Sequence, residues 1–473
     1  MEKYLGNKTG LLPLIETFIK ERVPEAASIS DLFAGTTNVS RHFRKAGMAV
    51  ATGDLNRFSY VLGRAYLTAS VWPKMEGVHG AYDTQFMEAL RFTAEKNVPS
   101  DVRPGQRRSL APLARAIATL QEAGRVNTTP GILHDYFCVS GANSGYVSIR
   151  GGTGRRNYFS DANALFLDGA LEALRTWRNT GMVDDDELML LLACVIEEVV
   201  ITANVSGTFH DFSRERLWPN ALQRFTLRMP PIVVSSARAE VVNCDALDAA
   251  GTIAPHDVCY FDPPYNFRQY GAYYHLLNFV AAYPFLEDPR AYAENLSFVR
   301  GQNMVDDHTS AFCFRDDFIG SLQTLIERVP AEHVVLSYYG GRNHWNHWSA
   351  TEIPTDRGLR ELTALFRDRG LFDECEIVPV LSVRQNYQSR AGERKRFVDE
   401  YLLMGSRTNV PTAGDGAPAP LDANVALGLA EHFEHFVSGG EKLVAGNRPA
   451  PRTAVSVARK GPVGVDMPRL NVG

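Results

Sequence analysis

The amino-acid sequence predicts an α/β fold in which a doubly wound sheet carries a long, largely helical insertion. Short β-branched, apolar runs recur along the chain, and most are continuously apolar, as in strands covered on both faces. Helical patterns lie between these runs, which is typical of doubly wound sheets. Between about residues 71 and 238 the strand pattern fades into helical stretches separated by Gly, Ser and Asn loops, which predicts a separate lobe.

Each predicted element follows from one of these patterns. The strands are expected at Ser28–Phe33, Met48–Thr52, Glu240–Asn243, Val258–Phe261, His333–Tyr338, Ile377–Val383 and Val398–Met404. The helices of the same region are expected at Thr9–Arg22, Val39–Ala46, Ser59–Ser70, Tyr273–Ala282 and Asp316–Glu327. The most apolar stretch, Leu188–Ile196, is far shorter than the roughly 20 residues of a membrane helix. It therefore predicts a buried core helix.

The patterns divide the chain into three parts. Residues 1–72 and 236–406 carry the predicted strands and are expected to form one discontinuous domain, which residues 73–235 interrupt. Residues 407–473 are rich in Pro, Gly and Ala, which predicts a linker and a flexible tail. One amphipathic helix is expected within this last part, at Asn424–Val437.

Composition restricts the class of protein. The 473 residues include 49 Lys+Arg and 54 Asp+Glu, and 45% are apolar, which is typical of a folded chain of two or three domains. Six scattered cysteines without a C-x-x-C pair argue against a zinc ribbon and a secreted disulfide framework. The N-terminus lacks the features of a secretory signal, so a cytoplasmic protein is expected. The net charge of −5 gives no global sign of a nucleic-acid partner.

A glycine-containing turn follows the first predicted strand. Asp31, Phe33 and Gly35 have a D-x-F-x-G spacing, and such a turn lets the backbone approach a ligand at the carboxyl edge of a sheet. Asp54 follows the next strand, 23 positions after Asp31, where an acid commonly accepts hydrogen bonds from the ribose of an adenosine-containing cofactor. A routine strand–turn–helix connection and a helix N-cap are the alternative readings.

The strongest motif is D-P-P-Y, which comprises Asp262, Pro263, Pro264 and Tyr265 and directly follows a predicted buried strand. Two prolines fix the backbone and leave its carbonyls free, so the side chains of Asp262 and Tyr265 stand on a rigid platform. Acceptors that hold the N–H groups of an exocyclic amine favour its more nucleophilic, tetrahedral form. The ring of Tyr265 offers a face on which a flipped base can stack. The motif therefore indicates transfer to a base amine.

The chain resembles the N6-adenine-specific DNA methyltransferases of the DNA adenine methylase group, the D12 class with the alpha order of motifs. D-P-P-Y is the catalytic motif of that group, and KYLGNKTGLLPLI looks like its N-terminal cofactor motif. The order of N-terminal motif, glycine turn, acid, long insertion and D-P-P-Y also fits, as do RNYFSDANALFLDG, VVLSYYGG and FVDEYLLM. The resemblance covers about residues 3–404 and implies a Rossmann-like methyltransferase sheet with an inserted target-recognition region.

The resemblance also implies a cofactor, S-adenosyl-L-methionine, which becomes S-adenosyl-L-homocysteine, and it implies no metal. The cofactor-binding residues carried over from the family are Tyr4, Lys8, Asp31, Phe33, Gly35, Asp54 and Asp262. Lys8 would meet the methionine carboxylate, Asp54 the ribose, and Asp262 both the cofactor and the target amine. Many members have a second glycine where this chain has Thr37, which leaves the geometry of the turn open. His344 and His347 lack a nearby cysteine or carboxylate cluster, which argues against zinc.

Double-stranded DNA is the implied substrate, and a cognate restriction endonuclease or another defence-system subunit is a further partner to be considered. Arg155 and Arg156 lie beside glycines in a polar loop of the insertion, and Arg268 and Tyr270 follow D-P-P-Y, so these four are candidate DNA contacts. Solvated helix faces and helix capping are the alternatives. The same chemistry on cytosine N4 or RNA, or a non-catalytic DNA-binding subunit, also remains open at this stage.

Overall fold

The computed structural model describes residues 4–96, 98, 104–148, 151–294, 296–297, 300–303, 309–341, 343–345, 357–386 and 394–412. Within these residues the strands are β1 (Ser28–Asp31), β2 (Ala49–Gly53), β3 (Gly145–Val147), β4 (Thr153–Arg155), β5 (Ala239–Val242), β6 (His256–Phe261), β7 (Leu296–Ser297), β8 (Gln302–Asn303), β9 (Ala331–Tyr339), β10 (Glu374–Asn386) and β11 (Arg394–Ser406).

The α-helices of the same residues are α1 (Leu12–Arg22), α2 (Asn38–Lys45), α3 (Arg57–Leu67), α4 (Glu76–Ala81), α5 (Thr84–Lys96), α6 (Pro104–Val126), α7 (Ile132–Phe137), α8 (Asp161–Asn179), α9 (Asp185–Thr202), α10 (Ala246–Thr252), α11 (Tyr270–Tyr273), α12 (His275–Ala282), α13 (Pro289–Glu294), α14 (Arg315–Arg328) and α15 (Arg357–Asp368). Short 3₁₀ turns lie at Thr9–Leu11, Tyr283–Phe285 and Ala311–Cys313. Among the described helices, none is both long and apolar enough to cross a membrane.

Seven strands form the main sheet, in the order β10-β11-β9-β6-β1-β2-β5. The five strands from β9 to β5 run parallel, whereas β11 is antiparallel to both β9 and β10. The chain begins in the middle of the sheet at β1, builds outward to β5, and then crosses back to place β6 beside β1. Ligands bind in the crevice at such a reversal of strand order, at the carboxyl ends of the strands.

The predicted fold class is confirmed, because the seven predicted strands are the seven strands of this sheet. Their ends differ by a few residues: β1 stops at Asp31, since the next residues already turn toward Gly35. The predicted helix at Thr9–Arg22 is a 3₁₀ turn followed by α1. The hairpins β3–β4 and β7–β8 were not predicted, because their strands are only two or three residues long.

The long stretch between β2 and β5 is mainly helical, as expected. Helix α9 contains the apolar run Leu188–Ile196, which is buried on all sides and packs against α3. The Asp184 side chain accepts a hydrogen bond from the Glu187 N–H, and the Glu187 side chain accepts one from the Asp184 N–H, so a capping box begins this helix. The predicted buried core helix is therefore confirmed, and the boundaries of the insertion stay a prediction.

The start of the predicted linker is tied to the sheet. Arg407 follows β11, is 7% exposed, and donates hydrogen bonds to the carbonyls of Ile326, Val329 and Ala331. The ordered chain therefore continues past residue 406. The helix predicted at Asn424–Val437 and the rest of the predicted tail lie outside the described residues.

Candidate functional site

A cleft with a cavity volume of about 390 Å³ opens at the carboxyl edge of the sheet. Residues that follow β1, β2, β5 and β6, and the last residue of β9, contribute to its walls. Its lining includes nine of the predicted site residues: Tyr4, Phe33, Asp54, Asp262, Pro263, Pro264, Tyr265, Arg268 and Tyr270. Lys8, Asp31, Gly35, Arg155 and Arg156 are not among the lining residues.

The glycine turn brings the N-terminal segment against the sheet. Gly35 has a φ of +50°, and a Cβ at this position would lie 2.7 Å from Cε1 of Tyr4, so only glycine allows this approach. Thr37 has a φ of +59° and is fully buried, so it takes the left-handed conformation that a glycine would adopt there. The departure from the family pattern at Thr37 therefore does not prevent this turn, although a β-branched residue is strained in that conformation.

Asp54 links this turn to the next strand. Its Oδ2 accepts a hydrogen bond of 2.7 Å from the Gly35 N–H, and its Oδ1 accepts one of 2.8 Å from the Asn56 N–H. Burial raises the pKa of the Asp54 carboxyl, and the two N–H groups oppose that rise. Asp54 therefore lines the cleft in a fixed orientation.

Asp31 lies deeper than expected. It is 3% exposed, and its carboxyl accepts hydrogen bonds from the Phe33 N–H at 3.2 Å and the Ser40 hydroxyl at 3.4 Å. Burial raises the pKa of Asp31 to about 8. Its contacts brace the turn, whereas the Phe33 side chain forms the wall of the cleft.

Aromatic rings lie in and directly behind the walls of the cleft. Tyr4 stacks on Tyr274 with ring centroids 4.7 Å apart, and the Tyr274 hydroxyl accepts a hydrogen bond of 2.8 Å from the Leu5 N–H. Phe33 meets Phe312 edge to face at 5.0 Å. Such rings offer flat apolar surfaces to a planar base or nucleoside.

The D-P-P-Y loop begins where β6 ends. The Tyr265 hydroxyl contacts both the Asp262 carboxylate and the carbonyl of Ser337, which joins the loop to β9. The Tyr265 ring meets Tyr338 edge to face at 5.6 Å. Pro263 is buried, and the Asp262 side chain remains 15% exposed at the cleft. The side chains of Asp262 and Tyr265 are thus both fixed by contacts, within the loop and to β9.

Lys8 lies behind Asp262. Its Nζ is 3.2 Å from Oδ1 of Asp262 and 3.2 Å from Oε2 of Glu400, and the side chains of Lys8 and Glu400 are 4% and 2% exposed. Burial raises the pKa of the Asp262 carboxyl, Lys8 lowers it, and Glu400 raises it further. The structure thus places the Lys8 ammonium between two carboxylates, while its expected contact with a cofactor carboxylate stays a prediction.

Sequence reasoning missed Glu400, although the signal was present in FVDEYLLM, where an acid stands within an apolar strand. It also missed Asn56, which is 3% exposed and accepts a hydrogen bond of 3.0 Å from the Asn278 amide. Asp245 lines the cleft as the N-cap of α10, and burial raises the pKa of its carboxyl. Only the tertiary structure distinguishes these three polar residues from the many others in the sequence.

The segment after D-P-P-Y borders the cleft. Arg268 and Tyr270 line it, and the Tyr270 ring lies 6.0 Å from the Tyr4 ring. The Gln269 amide holds the loop at Ser310: it donates to the Ser310 carbonyl at 3.3 Å and accepts from the Ser310 N–H at 2.8 Å. Arg268 and Tyr270 are therefore placed at the mouth of the candidate site.

The two arginines of the insertion occupy different environments. Arg155 ends β4 and is exposed, and its Nε donates to the Ser144 hydroxyl at 3.0 Å. Arg156 is 4% exposed, its guanidinium faces the carbonyls of Tyr136 and Asn143 at 3.4 Å, and burial lowers its pKa. The expected DNA contact suits Arg155, whereas Arg156 braces the hairpin.

His344 also has a structural environment. It is 8% exposed, and its Nε2 lies 2.9 Å from the carbonyl oxygen of Phe312. Among the described residues no cluster of three His, Cys, Asp or Glu side chains could hold a metal ion. His347 lies outside that part of the chain.

A model of the D12 class N6 adenine-specific DNA methyltransferase family matches residues 4–96 and 154–324, which are more than half of the chain. The matched residues include the glycine turn, Asp54 and the D-P-P-Y loop. The unmatched residues 97–153 fall within the insertion, and Glu400 lies beyond the second matched range.

Three bacterial proteins illustrate the similarity. The type II methyltransferase M.NlaIII of Neisseria lactamica is 26% identical over 339 residues, which are 71% of this chain and 82% of the relative. The type II methyltransferase M.FokI of Planomicrobium okeanokoites is 27% identical over 403 residues, or 84% of this chain and 52% of the relative. The modification methylase LlaI of Lactococcus lactis subsp. lactis is 26% identical over 462 residues, which are 95% of this chain and 63% of the relative. The chain thus spans about half to two thirds of the latter two.

Proposed function

We propose a function from the premise that the chain belongs to the D12 class N6 adenine-specific DNA methyltransferase family. It transfers a methyl group from S-adenosyl-L-methionine to N6 of an adenine that is flipped out of double-stranded DNA at a specific sequence. The observation that carries this proposal is the position of Asp262 and Tyr265 in one cleft with the glycine turn and Asp54. A cofactor and a base could meet there.

The residues of the cleft fit the proposed cofactor. The volume of the cleft lies in the usual range for small-molecule sites. Asp54 would accept hydrogen bonds from ribose hydroxyls, and Tyr4 and Phe33 would enclose the nucleoside between aromatic surfaces. When bound, the cofactor supplies a methyl group on a positively charged sulfur.

The target base would be held by the D-P-P-Y loop. The Asp262 carboxylate accepts a hydrogen bond from the target amine, and a carbonyl of the proline pair accepts the second. These acceptors orient the nitrogen lone pair toward the methyl group, so the enzyme contributes mainly positioning. The Tyr265 ring would stack on the base. The proton released from the methylated nitrogen leaves to water or to Asp262.

DNA contacts would lie at the cleft and in the insertion. Arg268 and Tyr270 border its mouth, and the exposed Arg155 belongs to a hairpin whose Val147 is 70% exposed. Arginines at such positions meet phosphates or guanine edges. We assign sequence recognition to the insertion, residues 73–235. The names of the relatives support modification of DNA as the setting. A cognate restriction endonuclease and a cytoplasmic location stay predictions.

The test is to express the chain in a host that lacks adenine methylation and to read the modified bases by single-molecule sequencing. N6-methyladenine in one short motif is expected. Marks on cytosine N4 would overturn the choice of base. If S-adenosyl-L-methionine binds but the DNA carries no mark, DNA methylation is overturned and RNA would be tested next. An Asp262→Ala strain is the control for methylation by the host.

A further inference from the structure

Three distant parts of the chain meet behind the cleft. Lys8 precedes the first helix, Asp262 follows β6, and Glu400 lies in the middle of β11. The two distances of 3.2 Å from the Lys8 Nζ join them into one ion cluster, which we call the Lys8 cluster. Asp262 is its only cleft-lining member among the three residues. Glu400, and Lys8 through its contact with Asp262, are therefore placed to act on a ligand in the cleft by way of Asp262.

Strand direction places Glu400 there. Because β11 is antiparallel to β9, Glu400 pairs with Tyr339, the last residue of β9, at the edge where the parallel strands end. Glu400, in the middle of β11 where the pairing with β9 begins, therefore arrives beside a residue that follows β6. Glu400 thus lies at the carboxyl edge of the parallel strands, although its own strand runs antiparallel to them.

The burial of Glu400 needs a cause. Burying a carboxylate is unfavourable unless it is paired, and a buried ion pair adds little stability over apolar residues of similar size. Leu402, Leu403 and Met404, which follow in the same strand, show the apolar composition that stability alone would favour. A charge kept at 2% exposure between such residues and Lys8 is better explained by what it does to Asp262.

We propose that Glu400 is a positioning residue for methyl transfer, which holds the Lys8 ammonium against Asp262 and adds a second negative charge to the Lys8 cluster near the target amine. This inference rests on the proposed function. It concerns how the reactive carboxylate is held and charged, and it does not make Glu400 a contact of substrate or cofactor.

The charges match the needs of the reaction. With both carboxylates ionised, one ammonium and two carboxylates sum to −1. As the nitrogen–carbon bond forms, the carbon–sulfur bond breaks with its electron pair moving to sulfur, and N6 is positive until it loses a proton. A fixed negative cluster stabilises that developing charge in a site of low dielectric constant. Without Glu400, the Lys8 cluster would lose one of its two negative charges.

The position also predicts opposite effects of the two partners on the protonation of Asp262. Lys8 favours the ionised carboxylate, whereas Glu400 disfavours it as a nearby like charge. The titratable groups that face Asp262 come from several elements: Tyr4, Lys8, Asp31, Tyr260, Tyr265 and Glu400. Only Lys8 and Glu400 among these groups are substituted, one at a time. The test can therefore show whether each of them raises or lowers the pKa of Asp262.

The experiment measures the single-turnover rate of methyl transfer to duplex DNA against pH in the full chain. Glu400→Gln retains an oxygen that can accept from Lys8 but removes the charge. We expect its rate to fall about tenfold and the acidic limb of its pH profile to move down by roughly half to one pH unit. Lys8→Met should move the same limb upward. Affinity for S-adenosyl-L-methionine should stay within about twofold for Glu400→Gln.

A matched control is Glu198→Gln in α9, where Glu198 is 2% exposed and pairs with Arg228 at 2.8 Å, away from the cleft. Glu198→Gln should not move the acidic limb of the pH profile. Glu400→Asp, which keeps the charge on a shorter chain, should lower the rate without moving the limb. Thermal melting identifies variants that do not fold.

Several results would overturn the inference. Unchanged rate and pH profile in Glu400→Gln would remove Glu400 from the reaction. A weakened cofactor affinity with a normal rate would make the Lys8 cluster part of the cofactor site. Loss of the folded state in both Glu400 variants would assign Glu400 to stability alone. An inactive wild-type chain would overturn the proposed function, and this inference with it.

Discussion

The two sides of the cleft hold their carboxyl groups in different ways. On the side of the glycine turn, Asp31 and Asp54 accept hydrogen bonds from groups within twenty residues of themselves, mostly backbone N–H groups. On the D-P-P-Y side, Asp262 is paired with Lys8, which is in turn paired with Glu400, more than a hundred residues away. The first side is built from local sequence, and the second only exists once distant strands are assembled.

The difference in construction fits a difference in task. A site for a cofactor needs a stable shape, which backbone groups of a short motif provide at little entropic cost. A carboxylate that must meet a reacting amine needs a set charge as well as a set position, and side-chain ions supply both. We therefore expect substitutions on the D-P-P-Y side to reduce the rate and those on the glycine-turn side to reduce stability or affinity.

The largest effect is expected for Asp262→Ala. It removes the proposed acceptor of the target amine, so methyl transfer to duplex DNA should fall by a factor of about a thousand or more. The fold should persist, because Lys8 keeps Glu400 as a partner at 3.2 Å. Radiolabelled methyl transfer and thermal melting measure the two properties.

Asp257→Ala is the matched control on the same strand. Its carboxylate accepts hydrogen bonds from the N–H groups of Ala27 and Ser28 at 2.8 and 2.9 Å, away from the cleft. This variant should lose stability but keep its methyl-transfer rate. If the two variants lost activity equally, the distinction between the two sides would break down.

A smaller effect, on stability, is expected for Gly35→Ala. The new Cβ would lie 2.7 Å from the Tyr4 ring in a residue with φ of +50°. The free energy of unfolding should fall by about 2 kcal/mol or more. Gly47→Ala separates the two causes, because Gly47 has a φ of +94° but no atom within 4 Å of its ideal Cβ. Equal losses in chemical denaturation would show that the Tyr4 contact is unimportant.

A further effect on stability is a pH dependence at Asp31. Its pKa is raised to about 8 by burial, so the folded state keeps a proton that the unfolded state releases above about pH 4. Stability should therefore fall as pH rises from about 4 to about 8, by at most about 1.4 kcal/mol per pH unit. Asp31→Asn should remove this dependence in denaturation curves at pH 5 and pH 8.

At Asp257 the pH dependence of stability is expected to have the opposite sign. Although burial opposes its ionisation, hydrogen bonds from Ala27 and Ser28 hold the pKa of this carboxyl below its ordinary value. Its contribution is present above the unfolded-state pKa and is lost as pH falls through the folded-state pKa. Asp257→Asn should therefore cost more at pH 5 to 8 than at pH 3. A like pH dependence for both residues would contradict the environments described here.

Much of the fold and part of the site could be predicted from the sequence. The seven strands were predictable because each is a short apolar run, and residues after such strands must meet at one edge when the strands are parallel. That reasoning placed Phe33, Asp54 and Asp262 in one cleft. It could not distinguish Arg155 from Arg156, because alternation along a strand does not say which side chain the neighbouring loop will bury.

The sequence alone determined the seven strands of the main sheet, the glycine turn and the D-P-P-Y loop, since each depends on residues within a few positions of one another. Only the tertiary structure decided that Asp31 is buried behind the wall, that Lys8 lies between two carboxylates, and that Glu400 reaches the carboxyl edge of the parallel strands. The physical reason is that burial and long-range ion pairs depend on strand order and direction. Neither is encoded by the local pattern that makes a segment a strand.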